Sequence, residues 1–444
     1  MKHNISFKHI NKLAIPALIT GVAEPLLSTT DLAIVGNIQE NATESIAAIG
    51  IVGAFLSMLI WVFGQIRSGI SSIVSQYVGA DKIDSIKSLP AQATVIIVSI
   101  SMVILMISYP FAKEIFQFYN ASGEVLNYAV SYYKIRVFGF PFTLFTIAVY
   151  GTFRGLQNTF YPMLIAITGT AINIVLDIIL VYGIDGYIIP MHIEGAAYAS
   201  VVAQIIMALI SAFLLYKKTT ISLRFTLPFH EEIPRFITMV LNLFVRTIAL
   251  NVALYFGTSY ATSYGNEYIA AYTIGLNLWL MGAFIIDGYA SAGNILSGKL
   301  LGAKAYSSLV QLGNKLIIYG FLQGLVLTIL GFILYQPIGR LFTQEPEVLR
   351  EFYTVFWIVL IMQPFCSLAF IFDGMFKGLG EMKFLRNLLL VTTGVVFIPV
   401  LLYLDSLNYK LYAIWIAFFL WIIARGVPLI VMFRKKFLKL AQEV

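Results

Sequence analysis

The chain has 444 residues, of which 59% are hydrophobic and only 11% charged. A water-soluble domain carries roughly 25% charged residues, so a soluble globular fold is excluded and the net charge of +7 belongs to loops between apolar segments rather than to a nucleic-acid surface. Apolar blocks of about 20 residues match the roughly 30 Å hydrocarbon core of a bilayer, so the chain reads as an all-α polytopic membrane protein.

Twelve spans are expected in chain order. The first six lie near 13–37, 47–77, 89–112, 130–153, 161–183 and 194–216. The second six lie near 236–262, 268–298, 312–335, 353–376, 386–404 and 411–433. The connector near 217–235 is basic and divides the chain into an N-lobe, 1–216, and a C-lobe, 236–444. The first apolar stretch is too long for a cleavable signal and lacks a small-residue cleavage site, so none is expected. The single cysteine, Cys366, rules out a disulfide within the chain.

Charge asymmetry orients the spans. With the N-terminus cytoplasmic, 20 of the 29 Lys and Arg residues fall on the cytoplasmic side and 6 in outer loops. Arg67, Arg246 and Arg425 fall inside spans. Both termini are therefore expected in the cytoplasm, with the chain in the cell (inner or plasma) membrane.

The halves repeat at one offset of 223 residues. Gly79-Ala80 falls on Gly302-Ala303, Val125-Leu126 on Val348-Leu349, and Pro141-Phe142 on Pro364-Phe365. GTFRGL at 151–156 falls on GMFKGL at 374–379. Six spans per half is an even number, so both halves enter the membrane in the same direction. That predicts a pseudo-two-fold axis along the membrane normal, a pattern of transporters with a substrate site between the halves.

Ionisable groups within spans are costly in lipid and mark cavities, partners or ion pathways. In the first span, Glu24 and Asp31 are seven residues apart, about 10.5 Å of rise, and so share one helix face. Pro16 and Pro25 on the same span remove intrahelical hydrogen bonds and permit a bend. In the fifth span, TAINIVLDIILVYG places Asn173 and Asp177 on one face. An amide with two carboxylates could bind Na⁺ at Asp31, Asn173 and Asp177, or hold a proton. The competing reading makes both acids structural, satisfied by Ser, Thr or Arg67.

Arg67, Asp287 and Asp373 are secondary candidates. Arg67 is expected to pair with an acid. Asp287 and Asp373 each precede a glycine, which allows close helix approach. Arg246 and Arg425 are expected to snorkel or to sit near helix ends. GNILSGKL at 293–300 fits a phosphate-loop pattern, but Leu300 replaces the required Ser or Thr and no strand precedes it, so no ATP site is expected. No hydrolytic constellation appears and the four histidines are scattered. The chain therefore reads as a non-enzyme without cofactor, driven by H⁺ or Na⁺.

PLLSTTDLAIVG (25–36), FGQIRSGISSIVSQYVGA (63–80), NIVLDIILVYG (173–183) and FDGMFKGLGEMKFLRN (372–387) together resemble the multidrug and toxic compound extrusion (MATE) family, most closely its DinF-like branch. The resemblance runs over nearly the whole chain. It implies twelve helices in two six-helix lobes arranged as a V. It places Asp31 and Asp177 at the family's N-lobe cation or proton site, with Asn173 as the amide one turn earlier. It implies Ser200 as the hydroxyl that completes the site, Pro16 as the hinge of the first helix, and Asp373 as the acid of a DG-x-F motif. Glu24 is outside the family pattern. The acid that sodium-coupled NorM-like members carry earlier on the tenth helix would fall near Leu368, so a C-lobe sodium site is not expected.

The function implied is cation-coupled antiport of amphipathic, cationic organic compounds by alternating access, within one monomeric chain. Two alternatives stay open: an organic-anion exporter of the same family, in which Arg67 would face the substrate, and a lipid-linked oligosaccharide flippase. The flippase would need a strongly cationic cavity to meet pyrophosphate, and at least five intramembrane acids weigh against it.

Overall fold

A computed structural model describes residues 5–38, 41–184 and 186–443. Eighteen α-helices are present among them, and every predicted span finds its counterpart. They are α1 (Phe7–Val35), α2 (Ala42–Phe63), α3 (Ile66–Gly79), α4 (Leu89–Ser108), α5 (Ala112–Phe118), α6 (Gly123–Arg136), α7 (Phe140–Gly155), α8 (Phe160–Tyr182) and α9 (His192–Lys218). The second set is α10 (Ile233–Tyr264), α11 (Asn266–Gly302), α12 (Tyr306–Ile333), α13 (Tyr335–Phe342), α14 (Pro346–Ile361), α15 (Gln363–Gly378), α16 (Met382–Thr392), α17 (Ile398–Ser406) and α18 (Leu411–Gln442).

Among the described residues ten helical stretches are long and apolar enough to cross a bilayer, and α14 with α15, bent by 49°, makes an eleventh. The 29 residues of α1 rise about 44 Å, enough for a twelfth. Spans expected to be single are interrupted. The second breaks between α2 and α3 at Gly64-Gln65, the fourth passes through a 3₁₀ turn at Val137–Gly139, and the eleventh contains a π-helical turn at Thr393–Phe397.

The helices group into two compact units. The N unit takes Ile19–Val74 and Lys82–Ile237. The C unit takes Met1–Leu18, Ser75–Asp81 and Thr238–Val444. Helix α1 therefore changes unit between Leu18 and Ile19, two residues beyond Pro16. The start of α1 is held in the C unit by a hydrogen bond from Tyr289 Oη to Asn11 Oδ1 (2.7 Å) and by Lys315, which donates to the Ile5 carbonyl.

The sequence repeat reappears as repeated packing. In the N unit, a Cβ placed on Gly151 would stand 2.7 Å from the Arg67 carbonyl oxygen. In the C unit, a Cβ on Gly374 would overlap the Ala290 carbonyl oxygen. Both members of the second pair lie 223 residues beyond the first. The end of α3 crosses the end of α11 in the same spirit: Gly79 abuts Lys299, and Gly302 abuts Gln76. Backbones this close leave no room for a side chain, which is why the repeat survives as glycines.

The C unit is packed by aromatic side chains: Tyr272, Trp415, Phe418, Trp421, Phe397, Phe352 and Phe356 are fully buried. The N unit core centres on Phe116 and Tyr133, with Phe55 set edge-on to both.

Candidate cation-coupling site

Helices α8 and α9 approach closely at Gly195, where a Cβ would overlap the Leu180 backbone, and Ala196, Ala199 and Ala203 of α9 are buried. Close approach of this kind lets short polar side chains meet across the interface. Asn173 Nδ2 on α8 donates to Ser200 Oγ on α9 at 3.3 Å, and Ser200 Oγ donates to Asp31 Oδ2 on α1 at 3.3 Å. The end of α1 is fixed against α8 by Tyr182 Oη, which donates to the Ile34 carbonyl (2.6 Å). Asp177, one turn along α8 from Asn173, lies within electrostatic reach of Asp31. Asn173 and Asp177 are fully buried, Ser200 is 2% exposed and Asp31 3%.

The sequence thus names four residues from three helices that converge on one spot. Their chemistry is unbalanced. Asp31 Oδ1, Asn173 Oδ1 and both oxygens of Asp177 are buried and have no hydrogen-bond donor among the described residues. Buried acceptors without donors are costly. Two neighbouring buried carboxylates cannot satisfy one another without a proton or a cation. All the ligand atoms are hard oxygens, a set suited to H⁺ or to an alkali cation rather than to a transition metal. Among the described residues no group of three or more His, Cys, Asp or Glu side chains is placed to hold a metal ion.

Asp31 also reaches the wall of a cavity of about 180 Å³ within the N unit. Arg67, Tyr132, Arg136, Tyr150 and Gln204 line it, together with apolar and threonine side chains from α1, α2 and α7 to α9. Arg136 Nε donates to Tyr132 Oη (3.3 Å) and lies within electrostatic reach of both carboxyls. Arg136 sits at the last turn of α6, and its reach carries the charge inward.

Arg67 faces this cavity and makes no ion pair among the described residues, which corrects the expectation that it pairs with an acid. Its position follows from the helix break at Gly64-Gln65, which starts α3 inside the span. Glu24 and Pro25 lie on α1, but their side chains fall outside the described residues. Helix α1 continues through Pro16 without interruption.

The secondary acids stand elsewhere. Asp373 is 6% exposed and is fully engaged: Arg246 Nη2 donates to Oδ1 (2.6 Å) and Lys377 Nζ to Oδ2 (3.0 Å). Asp287 accepts a long hydrogen bond from Ser291 Oγ (3.4 Å). Arg246 and Arg425, expected to snorkel or to sit near helix ends, are 8% and 4% exposed. The aromatic-rich packing of the C unit holds them in, and Arg425 stacks over Trp421 at 4.6 Å.

Comparison with known proteins agrees with this architecture. The MatE family model matches residues 16–179 and 243–402, one segment in each half. Protein DETOXIFICATION 43 of Arabidopsis thaliana is 29% identical over 309 residues, covering 69% of this chain but only 56% of that protein. DNA damage-inducible protein F of Escherichia coli is 23% identical over 439 residues, 97% of this chain and 92% of its own length. A crystal structure of MATE in the bent conformation superposes with a TM-score of 0.89 over 98% of this chain and 96% of that one, at 21% identity. With both halves matched in sequence and the fold matched along its length, the chain belongs to the MatE family of multi-pass membrane transporters.

Proposed function

We propose that this protein is a cation-coupled antiporter, driven by H⁺, Na⁺ or both, that exports amphipathic organic compounds by alternating access. Asp31, Asn173, Asp177 and Ser200 form the coupling site. The observation that carries this reading is the cluster of four buried acceptor oxygens without a donor. Such a site is stable only when it holds a proton or cation, so it gains and loses one as the solution it faces changes.

The consequence for transport runs through α1. Asp31 is on α1 and Asp177 on α8, so charge neutralisation removes the repulsion between these helices. Helix α1 changes unit two residues beyond Pro16, where one backbone hydrogen bond is missing. A shift of the Asp31 segment is therefore absorbed at Pro16, and it moves a wall of the N-unit cavity. Ion entry is tied in this way to substrate release. The protein acts as a monomer in the cell membrane with both termini cytoplasmic, without ATP, nucleic acid or catalysis.

The test is efflux of a fluorescent organic cation from proteoliposomes, with ΔpH and ΔNa⁺ imposed separately. Wild type responds to at least one gradient, and Asp31→Asn and Asp177→Asn lose that response while remaining folded. Full gradient-driven efflux by either variant would return these acids to a structural role.

A second reading, export of organic anions, is favoured by one observation: two arginines, Arg67 and Arg136, line the same cavity as Asp31. A carboxylate-bearing substrate would dock on Arg67, the cavity arginine that makes no ion pair among the described residues.

A further inference from the structure

The C unit holds a second buried charge cluster whose imbalance has the opposite sign. Arg246 on α10, Lys377 on α15 and Arg425 on α18 surround Asp373. A further acid, Asp287 on α11, lies within electrostatic reach of Lys377. Three cations face two carboxylates, which leaves one positive charge uncompensated inside the protein. Each oxygen of Asp373 already receives one charged donor.

Two N–H groups are left over. Arg246 Nε and Arg425 Nη1 are solvent-excluded and have no acceptor among the described residues. Both arginines are more than nine-tenths buried. A guanidinium is not deprotonated in a protein, so these donors keep their charge and need an acceptor. Arg425 is also held in place rather than free to leave. It stacks on Trp421, and Trp421 Nε1 donates to Thr393 Oγ1 (3.1 Å) at the π-helical turn of the eleventh span. Such turns concentrate at functional sites in helices.

We infer that Arg246, Lys377 and Arg425 form a binding site for one small monovalent anion of halide size, with Arg246 Nε and Arg425 Nη1 as its donors. The single residual charge sets the valence. The exclusion of both donors from solvent sets the size: a small ion is admitted where a bulky organic anion is not. The bound anion neutralises the C unit while the N unit gains and loses its cation. This site does not depend on the proposed transport reading, and its test reads stability rather than efflux.

The purified full chain is melted in detergent at fixed pH and ionic strength, with sodium chloride replaced stepwise by sodium gluconate. Chloride raises the melting temperature with saturation. At ten times its Kd the folding equilibrium shifts about elevenfold. Arg425→Gln loses the chloride dependence. A wild-type melting temperature indifferent to chloride overturns the inference, and so does an equal rise in wild type and variant. If Arg425→Gln does not fold, crystals of the wild type grown in bromide decide the matter. An anomalous peak beside Arg246 Nε and Arg425 Nη1 supports the site, and its absence there overturns it.

Discussion

Replacing Asp373 by Asn removes one negative charge from between two cations that the fold cannot move away. Arg246 and Asp373 expose only 9% of each side chain, and Lys377 exposes 18%. Breaking a buried pair by deleting one partner costs about 3–5 kcal/mol, because the other charge stays buried and uncompensated. The partial exposure of Lys377 lets it recover some hydration, so the lower end, about 3 kcal/mol, is expected. Asp31→Asn is the informative comparison, since Asp31 is as buried as Asp373. Yet Asp31 has one oxygen without a donor and a second carboxyl beside it. An amide there keeps an acceptor for Ser200 and gives Asp177 a donor, so its effect on stability is within about 1 kcal/mol in either direction. Thermal unfolding of both variants in the same detergent, at one scan rate, separates the cases. Asp373→Asn melts several degrees below wild type, and Asp31→Asn melts close to it. If both fall equally, the distinction between an engaged acid and an unsatisfied one is wrong.

Four further substitutions probe the repeat and the cavity. Gly374→Ala and Gly151→Ala each push a methyl into a backbone carbonyl, at Ala290 and Arg67 respectively, and cost about 1–3 kcal/mol. Gly374→Ala costs more, and Gly50→Ala on α2, where nothing lies within 4 Å, is neutral or stabilising by up to about 1 kcal/mol; the order of melting temperatures checks this. Arg67→Gln leaves stability within about 0.5 kcal/mol, as expected for a side chain with no ion pair. It shifts proteoliposome transport away from organic anions and toward organic cations, and an unchanged substrate preference would remove Arg67 from the substrate surface.

How much of this was legible in the sequence depended on what kind of signal each residue left. Asp31, Asn173 and Asp177 stood out because a carboxylate in the middle of an apolar helix has no cheap explanation. Ser200 did not: a serine in a membrane helix is common, and only the resemblance to the family singled it out. The repeat was readable because close backbone approach tolerates glycine alone, so GTFRGL and GMFKGL kept both glycines while Thr152 and Arg154 are matched by Met375 and Lys377. Arg136 and Lys377 were missed for one shared reason. Lys377 lies at a span end, and Arg136 lies at the 3₁₀ break between α6 and α7 inside the fourth span, so each stands where a helix stops. Their long side chains then carry the charge back toward the site. Arg67 was seen, but its partner was not predictable, because the break at Gly64-Gln65 sets which way it points.

The repeat also explains why the two units hold opposite chemistry in one fold. Moving back by 223 residues, Arg246 falls on Ala23 and Asp373 on Tyr150. Ala23 and Tyr150 both line the N-unit cavity. The place that the N unit keeps open is thus the place that the C unit fills with an ion pair. Moving forward, Asp31 falls on Leu254 and Asp177 on Val400, so the C unit has no counterpart of the coupling acids. An engaged acid such as Asp373 is a poor exchanger, because releasing it costs the pairing of two cations. An acid whose neighbours supply no donor binds its proton or cation from solution and can give it back. Under the proposed function, exchange falls to the N unit and rigidity to the C unit. Introducing the pair Ala23→Arg with Tyr150→Asp would close the cavity in the manner of the C unit.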